Sequence, residues 1–360
     1  MDGIISVNKA VGMTSHDVVA IARRLTKQRR IGHAGTLDPA ADGVLPLCLG
    51  QATRLVEYLS DSGKAYRATI RFGVVTDTYD REGSVVRAAP VALTKEQIAA
   101  SLPTFLGEQM QKPPIYSAIK RNGQPLYALA RAGQEVVVEA RPVRIDALRI
   151  VAWEAPDLTL DVECGKGTYI RSLAYDLGEL LGPGAHLAAL TRTRSGPFTL
   201  AMSVTLEALE AALADGSWRN HLFAPDEALL DWRAAILAPT SETRLRNGQL
   251  LRFDGVATGA EGAEGAEGAV SVAPVITVEA KRPATQNIPV APANPAAPAT
   301  AVISASDADA RPTADPVADA GALLRAYSTD GRFLGVLQWR AEAQGWQPHK
   351  VLNITPDDDG

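Results

Sequence analysis

Gly32-His33-Ala34-Gly35-Thr36-Leu37-Asp38-Pro39-Ala40-Ala41-Asp42-Gly43-Val44-Leu45-Pro46 is the stretch on which the reading of this chain turns. Glycines and prolines bracket one acid, and an apolar, strand-like run follows it. Gly35 and Gly43 permit tight backbone turns, and Pro39 steers Asp38 away from helical geometry. An acid held in a rigid loop, rather than on a solvated helix face, suits a nucleophile or a general base. An arbitrary Asp-Pro is more often a turn or a helix start, so the surroundings have to decide. Other glycine loops do not compete. Gly165-Lys166-Gly167-Thr168 lacks the Ser/Thr directly after Lys that a phosphate-binding loop requires, and no GxGxxG follows a strand.

On either side of this loop, residues 1 to about 235 alternate helical and strand patterns. Thr14-Ser15-His16-Asp17 has the form of a capping box, followed at helical spacing by Val18, Val19, Ala22 and Leu25. The other side of that helix, and its exit, carry Arg23, Arg24, Lys27, Arg29 and Arg30. Tyr66, Ala68, Ile70 and Phe72 alternate with Arg67, Thr69 and Arg71, the period of a strand with one buried face. Arg144 to Trp153 and Leu158 to Cys164 read as two strands joined around Pro156. Thr168 to Leu181 reads as a helix ended by Gly182-Pro183-Gly184. The pattern is that of an α+β domain built on a mixed or antiparallel sheet flanked by helices.

The charge is unevenly spread. Lys and Arg number 36 against 41 Asp and Glu, a net of −5 that by itself argues against a nucleic-acid partner. The window 256–320 holds eight acids and three bases, which accounts for the whole of that net charge. It has 20 Ala and 8 Pro and no Leu, Phe, Tyr or Trp, a composition that predicts a disordered insertion. Without it and the acidic tail 355–360, the remaining body is +3. After the window, Leu323 to Tyr327, the turn Thr329-Asp330-Gly331, and Phe333 to Trp339 predict a hairpin pairing with Leu245 to Phe253. The domains expected are therefore 1–235, then 240–255 with 321–354 as a small β-barrel split by the insertion. Cys48 and Cys164 have no metal or disulfide spacing. The start has no signal-peptide pattern, and no apolar run reaches the roughly 20 residues of a membrane span. The chain reads as cytoplasmic.

Gly32 to Gly43 resembles the catalytic motif of the TruB family, the bacterial tRNA pseudouridine-55 synthases, whose usual form is GHxGTLDPxAxGVL. The resemblance extends through Asp2 to Lys9 with Gly12-Met13-Thr14-Ser15, Lys64-Ala65-Tyr66-Arg67, Thr76-Asp77-Thr78-Tyr79-Asp80, Lys112 to Ala118, and Gly165 to Leu173. These blocks stand in the family's order over about residues 2–195. Asp42, where the family usually has a small or hydroxyl residue, departs from the pattern. A weaker resemblance, carried by Gly331 to Val336 and Pro348 to Leu352, relates the C-terminal part to the PUA-type RNA-binding domain.

The resemblance implies a pseudouridine synthase fold and isomerisation of uridine 55 in the tRNA T loop, with no cofactor and no metal. It casts Asp38 as the catalytic carboxylate and Arg171 as its ionic partner, since an adjacent guanidinium favours the charged acid. Tyr66 becomes the aromatic stacking on a flipped base, with Tyr169 beside Arg171, Asp80 orienting Arg171, and Leu190 an apolar pocket residue. His33 would fill the space vacated by the flipped base. Arg23, Arg24 and Lys27 would meet phosphates, with Arg141, Arg144, Arg192 and Arg194 adding positive charge. The partner implied is the tRNA T arm, bound by a monomer without an obligatory protein subunit. Two alternatives stand beside this: a guide-RNA-dependent relative, and a tRNA-folding chaperone for which catalysis is dispensable.

Overall fold

The computed structural model of the 360-residue chain describes residues 1–116, 120–121, 124–125, 138–252, 302–304 and 321–354. Contacts divide it into two compact units, one from Gly3 to Phe223 and one from Ala224 onward. This division precedes the boundary at 235 because the apolar run Ala234-Ala235-Ile236-Leu237 is a strand of the second unit's sheet.

The first unit begins with β1 (Gly3–Lys9), α1 (Ser15–Thr26), β2 (Ile31–His33), β3 (Ala41–Leu49), α2 (Val56–Asp61) and β4 (Lys64–Phe72). A small hairpin, β5 (Val74–Thr76) with β6 (Val85–Ala88), precedes α3 (Lys95–Ser101), β7 (Gly107–Gln111) and the short pair β8 (Lys120–Arg121) and β9 (Gln124–Pro125). Then come β10 (Arg141–Glu154), β11 (Asp157–Cys164), α4 (Ile170–Leu181), β12 (Ala185–Ser195), β13 (Phe198–Thr199) and α5 (Leu206–Asp215).

Nine strands form one mixed sheet in the order β1-β3-β12-β4-β11-β10-β7, with β2 added to β3 and β13 to β12. Among the described strands of this sheet, only the β3–β12 pair is parallel. The sheet follows from local pattern. Tyr66, Ala68, Ile70 and Phe72 of β4 bury one face. On the other face Arg67 and Arg71 reach their register partners Asp161 and Asp157 through paired contacts of 2.6–2.9 Å. These pairs are exposed and select register more than they add stability. The capping box at α1 is formed: Asp17 N–H donates to Thr14 Oγ1 at 3.1 Å, and Thr14 N–H donates to the Asp17 carboxylate at 2.9 Å. Val18, Val19 and Ala22 join the core, and Leu25 is only half-buried.

The second unit holds β14 (Ala234–Leu237), α6 (Pro239–Arg246), β15 (Val302–Ser304), β16 (Leu323–Ser328), β17 (Phe333–Arg340) and β18 (Gly345–Val351). Its sheet runs β15-β14-β16-β17-β18, and among the described residues no pairing joins its two edges into a barrel. The β16–β17 hairpin forms over the expected span. Its partner before the window is β14, in parallel, rather than Leu245 to Phe253. Pro239 at the first helical turn and the Glu242–Arg246 pair favour the helix that takes in Leu245 and Arg246, and Leu251 bridges to Trp346. Val302–Ser304, inside the window expected to lack structure, is a strand on β14. The rest of that window, and the tail 355–360, lie outside the described residues.

Candidate active site

Asp38 sits in the loop between β2 and β3, and four elements clamp that loop. Ser15, buried in the first turn of α1, accepts from Leu37 N–H at 2.8 Å and donates to Leu37 O at 3.2 Å. Gly12 N–H donates to Pro39 O at 2.8 Å, and Ala34 N–H to Pro46 O at 2.9 Å. Arg192 of β12 donates to Gly35 O at 3.0 Å, Thr36 O at 3.4 Å and Val44 O at 2.7 Å. Gly43 makes the close approach of β3 to β12 possible. Its φ is +102°, and a Cβ there would stand 2.3 Å from Arg192 O. The sequence loop is thus a rigid one, as its glycines and prolines suggest.

The Asp38 carboxylate is 3.0 Å from Arg171 Nη2. Burial falls on the arginine and not on the acid: the Arg171 side chain is 7% exposed and that of Asp38 46%. Arg171 is the second residue of α4, held inward because Ile170, Leu173, Ala174 and Leu177 pack into the core. Its Nη1 faces the Asp80 carboxylate at 3.3 Å and Thr78 O at 3.4 Å, and its Nη2 donates to Tyr116 O at 3.0 Å. Asp80 is itself held by Thr78 Oγ1 at 2.6 Å and Glu82 N–H at 3.0 Å. The segment Lys112 to Tyr116 docks on the start of the same helix, where Ser172 Oγ donates to Lys112 O at 2.8 Å. Gln111 brackets the Tyr169 backbone, accepting from its N–H at 2.8 Å and donating to its O at 3.0 Å. Separate blocks of the sequence converge on one guanidinium.

A cavity of about 270 Å³ opens beside this pair, lined by Asp38, Tyr66, Tyr169, Arg171 and Leu190 together with Lys64 and Arg192. Burial raises the Tyr66 hydroxyl above the usual phenol range, so it is a neutral donor and acceptor at physiological pH. Lys64 is pushed down to about 8, by burial first and by the Arg192 charge second, while its ammonium donates to Ser60 O and Ser62 O at 2.8 Å. A cavity with one half-exposed carboxylate among three cations suits an electron-rich, anionic guest.

The remaining expected residues lie elsewhere. His33 ends β2 with its ring edge-on to His16, centroids 5.4 Å apart, and is not among the residues lining the cavity. Burial, then His16 and Arg192, lower its pKa, so its imidazole is neutral at physiological pH. Arg23, Arg24 and Lys27 are exposed on α1 and its C-cap, with Arg23 also donating to Ile31 O at 2.8 Å. Arg192, grouped by sequence with the surface charges, is instead fully buried. Leu190 carried the signal that could have placed it: residues two apart on a strand share a face, and Leu190 was already assigned to the pocket. Ser15 stood in a block of the resemblance without an assigned role, since its partner Leu37 is 22 residues away.

The sequence model described as TruB family pseudouridylate synthase (N terminal domain) matches residues 23–170, and the tRNA pseudouridylate synthase B C-terminal domain matches 171–231. A protein of Burkholderia mallei (strain NCTC 10247), named tRNA pseudouridine synthase B, is 46% identical over 258 residues, covering 71% of this chain and 85% of the relative. The chain belongs to the TruB family. A second member with the same name, from Ectopseudomonas mendocina (strain ymp), is 49% identical over 235 residues, 64% of this chain and 77% of its own length. Among solved structures, the crystal structure of a Cbf5-Nop10-Gar1 complex superimposes with a TM-score of 0.65 at 22% identity, covering 97% of this chain and 84% of the other. That likeness establishes the pseudouridine synthase fold in this TruB chain. Both family matches end before β14.

Proposed function

We propose that this TruB-family enzyme isomerises uridine 55 in the T loop of tRNA to pseudouridine. The observation that carries the reading is the pairing of Asp38, half-exposed at the cavity, with the buried Arg171. A carboxylate so placed meets the guest directly while its counter-charge stays fixed in the protein. The volume of about 270 Å³ lies just below the ~300–1,000 Å³ of ordinary ligand pockets and suits a single flipped nucleoside.

The reaction breaks the C1′–N1 bond of uridine, turns the uracil, and forms a C1′–C5 bond. N1 gains a proton and C5 loses one, so the change is redox-neutral. Asp38 supplies the anionic oxygen that engages the nucleoside during this exchange. Arg171, anchored by Asp80, holds that oxygen in place, while Tyr66 and Leu190 bound the base. Arg23, Arg24 and Lys27 offer charge to tRNA phosphates, and His33, beside the loop, is the residue assigned to the vacated stack. The same reading places the enzyme in the cytoplasm as a monomer with no obligatory protein subunit, and gives the second unit an accessory RNA-binding role.

Tritium release from tRNA transcripts carrying 5-³H-uridine tests the proposal. Wild type is expected to release one tritium per tRNA, Asp38→Asn none, and a transcript with cytidine at position 55 none. Release by Asp38→Asn at the wild-type rate would remove Asp38 from the chemistry. Release from the substituted transcript would move the target.

A further inference from the structure

Arg192 is 0% exposed, and taking a guanidinium out of water costs several kcal/mol. A charge retained at that cost needs a compensating set of contacts, and these are unusual. Its hydrogen-bond partners are three backbone carbonyls of the catalytic loop, and Tyr66, its register neighbour across β12 and β4, lines the same cavity beside it. Gly35 O and Thr36 O precede Asp38 in the chain, and Val44 O follows it. One planar group therefore joins both limbs of the loop beneath the carboxylate.

The neighbouring charge has a directional consequence. A guanidinium is a cation with donors only, so a phenol beside it turns its oxygen, and not its proton, toward the charge. The single phenolic proton is thereby favoured on the side away from Arg192, where the ring lines the cavity. We infer that Arg192 is a positioning residue of the pseudouridine reaction, which locks the Asp38 backbone and orients Tyr66 as a hydrogen-bond donor to the bound nucleoside. This rests on the reading of the cavity as a nucleoside site. Lysine cannot substitute, because an ammonium on a flexible stem does not present the planar fork that spans both limbs.

The competing role for Arg192, a contact to a tRNA phosphate, makes opposite predictions. Single-turnover tritium release with enzyme in excess separates rate from affinity. Arg192→Lys and Arg192→Gln are expected to slow the step about 100-fold, with tRNA affinity within twofold of wild type and an unchanged salt dependence. In a Tyr66→Phe background the same Arg192 changes are expected to cost about tenfold or less, because part of their effect passes through the phenol. Tyr66→Phe alone, which leaves Arg192 and its carbonyls untouched, is expected to slow the step at least tenfold with affinity unchanged.

A spectroscopic readout needs no turnover. In protein labelled with 3-fluorotyrosine, the ¹⁹F resonance assigned to position 66 by its loss in Tyr66→Phe is expected to shift in Arg192→Lys. Wild-type rate at saturation with a salt slope reduced by about one would make Arg192 a phosphate contact and overturn the inference. So would full multiplication of the Arg192 and Tyr66 effects, an active Tyr66→Phe, or an unmoved resonance in a folded, active enzyme. A wild type that releases no tritium overturns the proposed function itself, and is thereby told apart from failure of the Arg192 role alone.

Discussion

Asp38 and Asp80, from loops 42 residues apart in the chain, face the two amino groups of one guanidinium, at 3.0 and 3.3 Å from Arg171. The arrangement is asymmetric. Asp80 is 11% exposed and holds the arginine from inside, whereas Asp38 is 46% exposed and open to the cavity. The inner acid is thus placed against the arginine, and the outer one is open to a guest in the cavity.

The first prediction follows from that asymmetry. Asp80→Asn keeps the shape but removes the inner charge, leaving Arg171 with Asp38 and two carbonyls as partners. Tritium release at saturating enzyme should fall at least tenfold with little change in tRNA affinity, and Arg171→Lys should fall further because lysine does not face both acids at once. Wild-type rates in either variant would break the assignment.

Gly43 and Gly12 provide a matched comparison of strain and space. Both have positive φ, +102° and +91°, but a Cβ at Gly12 has nothing within 4 Å. Gly12→Ala should cost about 1 kcal/mol in urea unfolding. Gly43→Ala should cost about 3 kcal/mol or more, since its Cβ collides with the β12 backbone. Equal costs would show that the β3–β12 approach is not tight.

Asp176 on α4 has a pKa raised to about 6, by burial first and by Glu179 second. A carboxylate harder to ionise in the folded state loses stability as pH rises from about 4 to 6, and the full penalty remains above that. Asp176→Asn should therefore stabilise the protein by roughly 1–3 kcal/mol at pH 7 and by almost nothing at pH 4. Denaturant midpoints of both proteins at the two pH values measure this, and a gain that does not depend on pH would refute the burial argument.

Deleting residues 256–320 removes one described strand, β15 at the edge of the second sheet, and no residue that lines the cavity. Single-turnover tritium release should stay within about twofold of wild type. A large loss of rate would tie the insertion to the chemistry.

Much of this enzyme is determined by short-range pattern. The capping box at Thr14, the alternation of β4 and the glycine–proline loop around Asp38 depend on steric and periodic rules acting within a few residues, and each formed where those rules place it. The acidic net charge, located in the 256–320 window, did not obscure the basic body. Partnerships across the chain were another matter. Arg192 looked like surface charge until β12 was laid between β3 and β4, and β14 looked like the end of one domain until it paired with β16 of the other. Ser15 joins the site only because the fold brings α1 against Leu37. Residue types and local spacing determined which groups are present and which loop is rigid. Only the tertiary structure decided which cation is buried and which acid stays open to the cavity, because desolvation and hydrogen-bond partners are properties of assembled surfaces and not of neighbours along the chain.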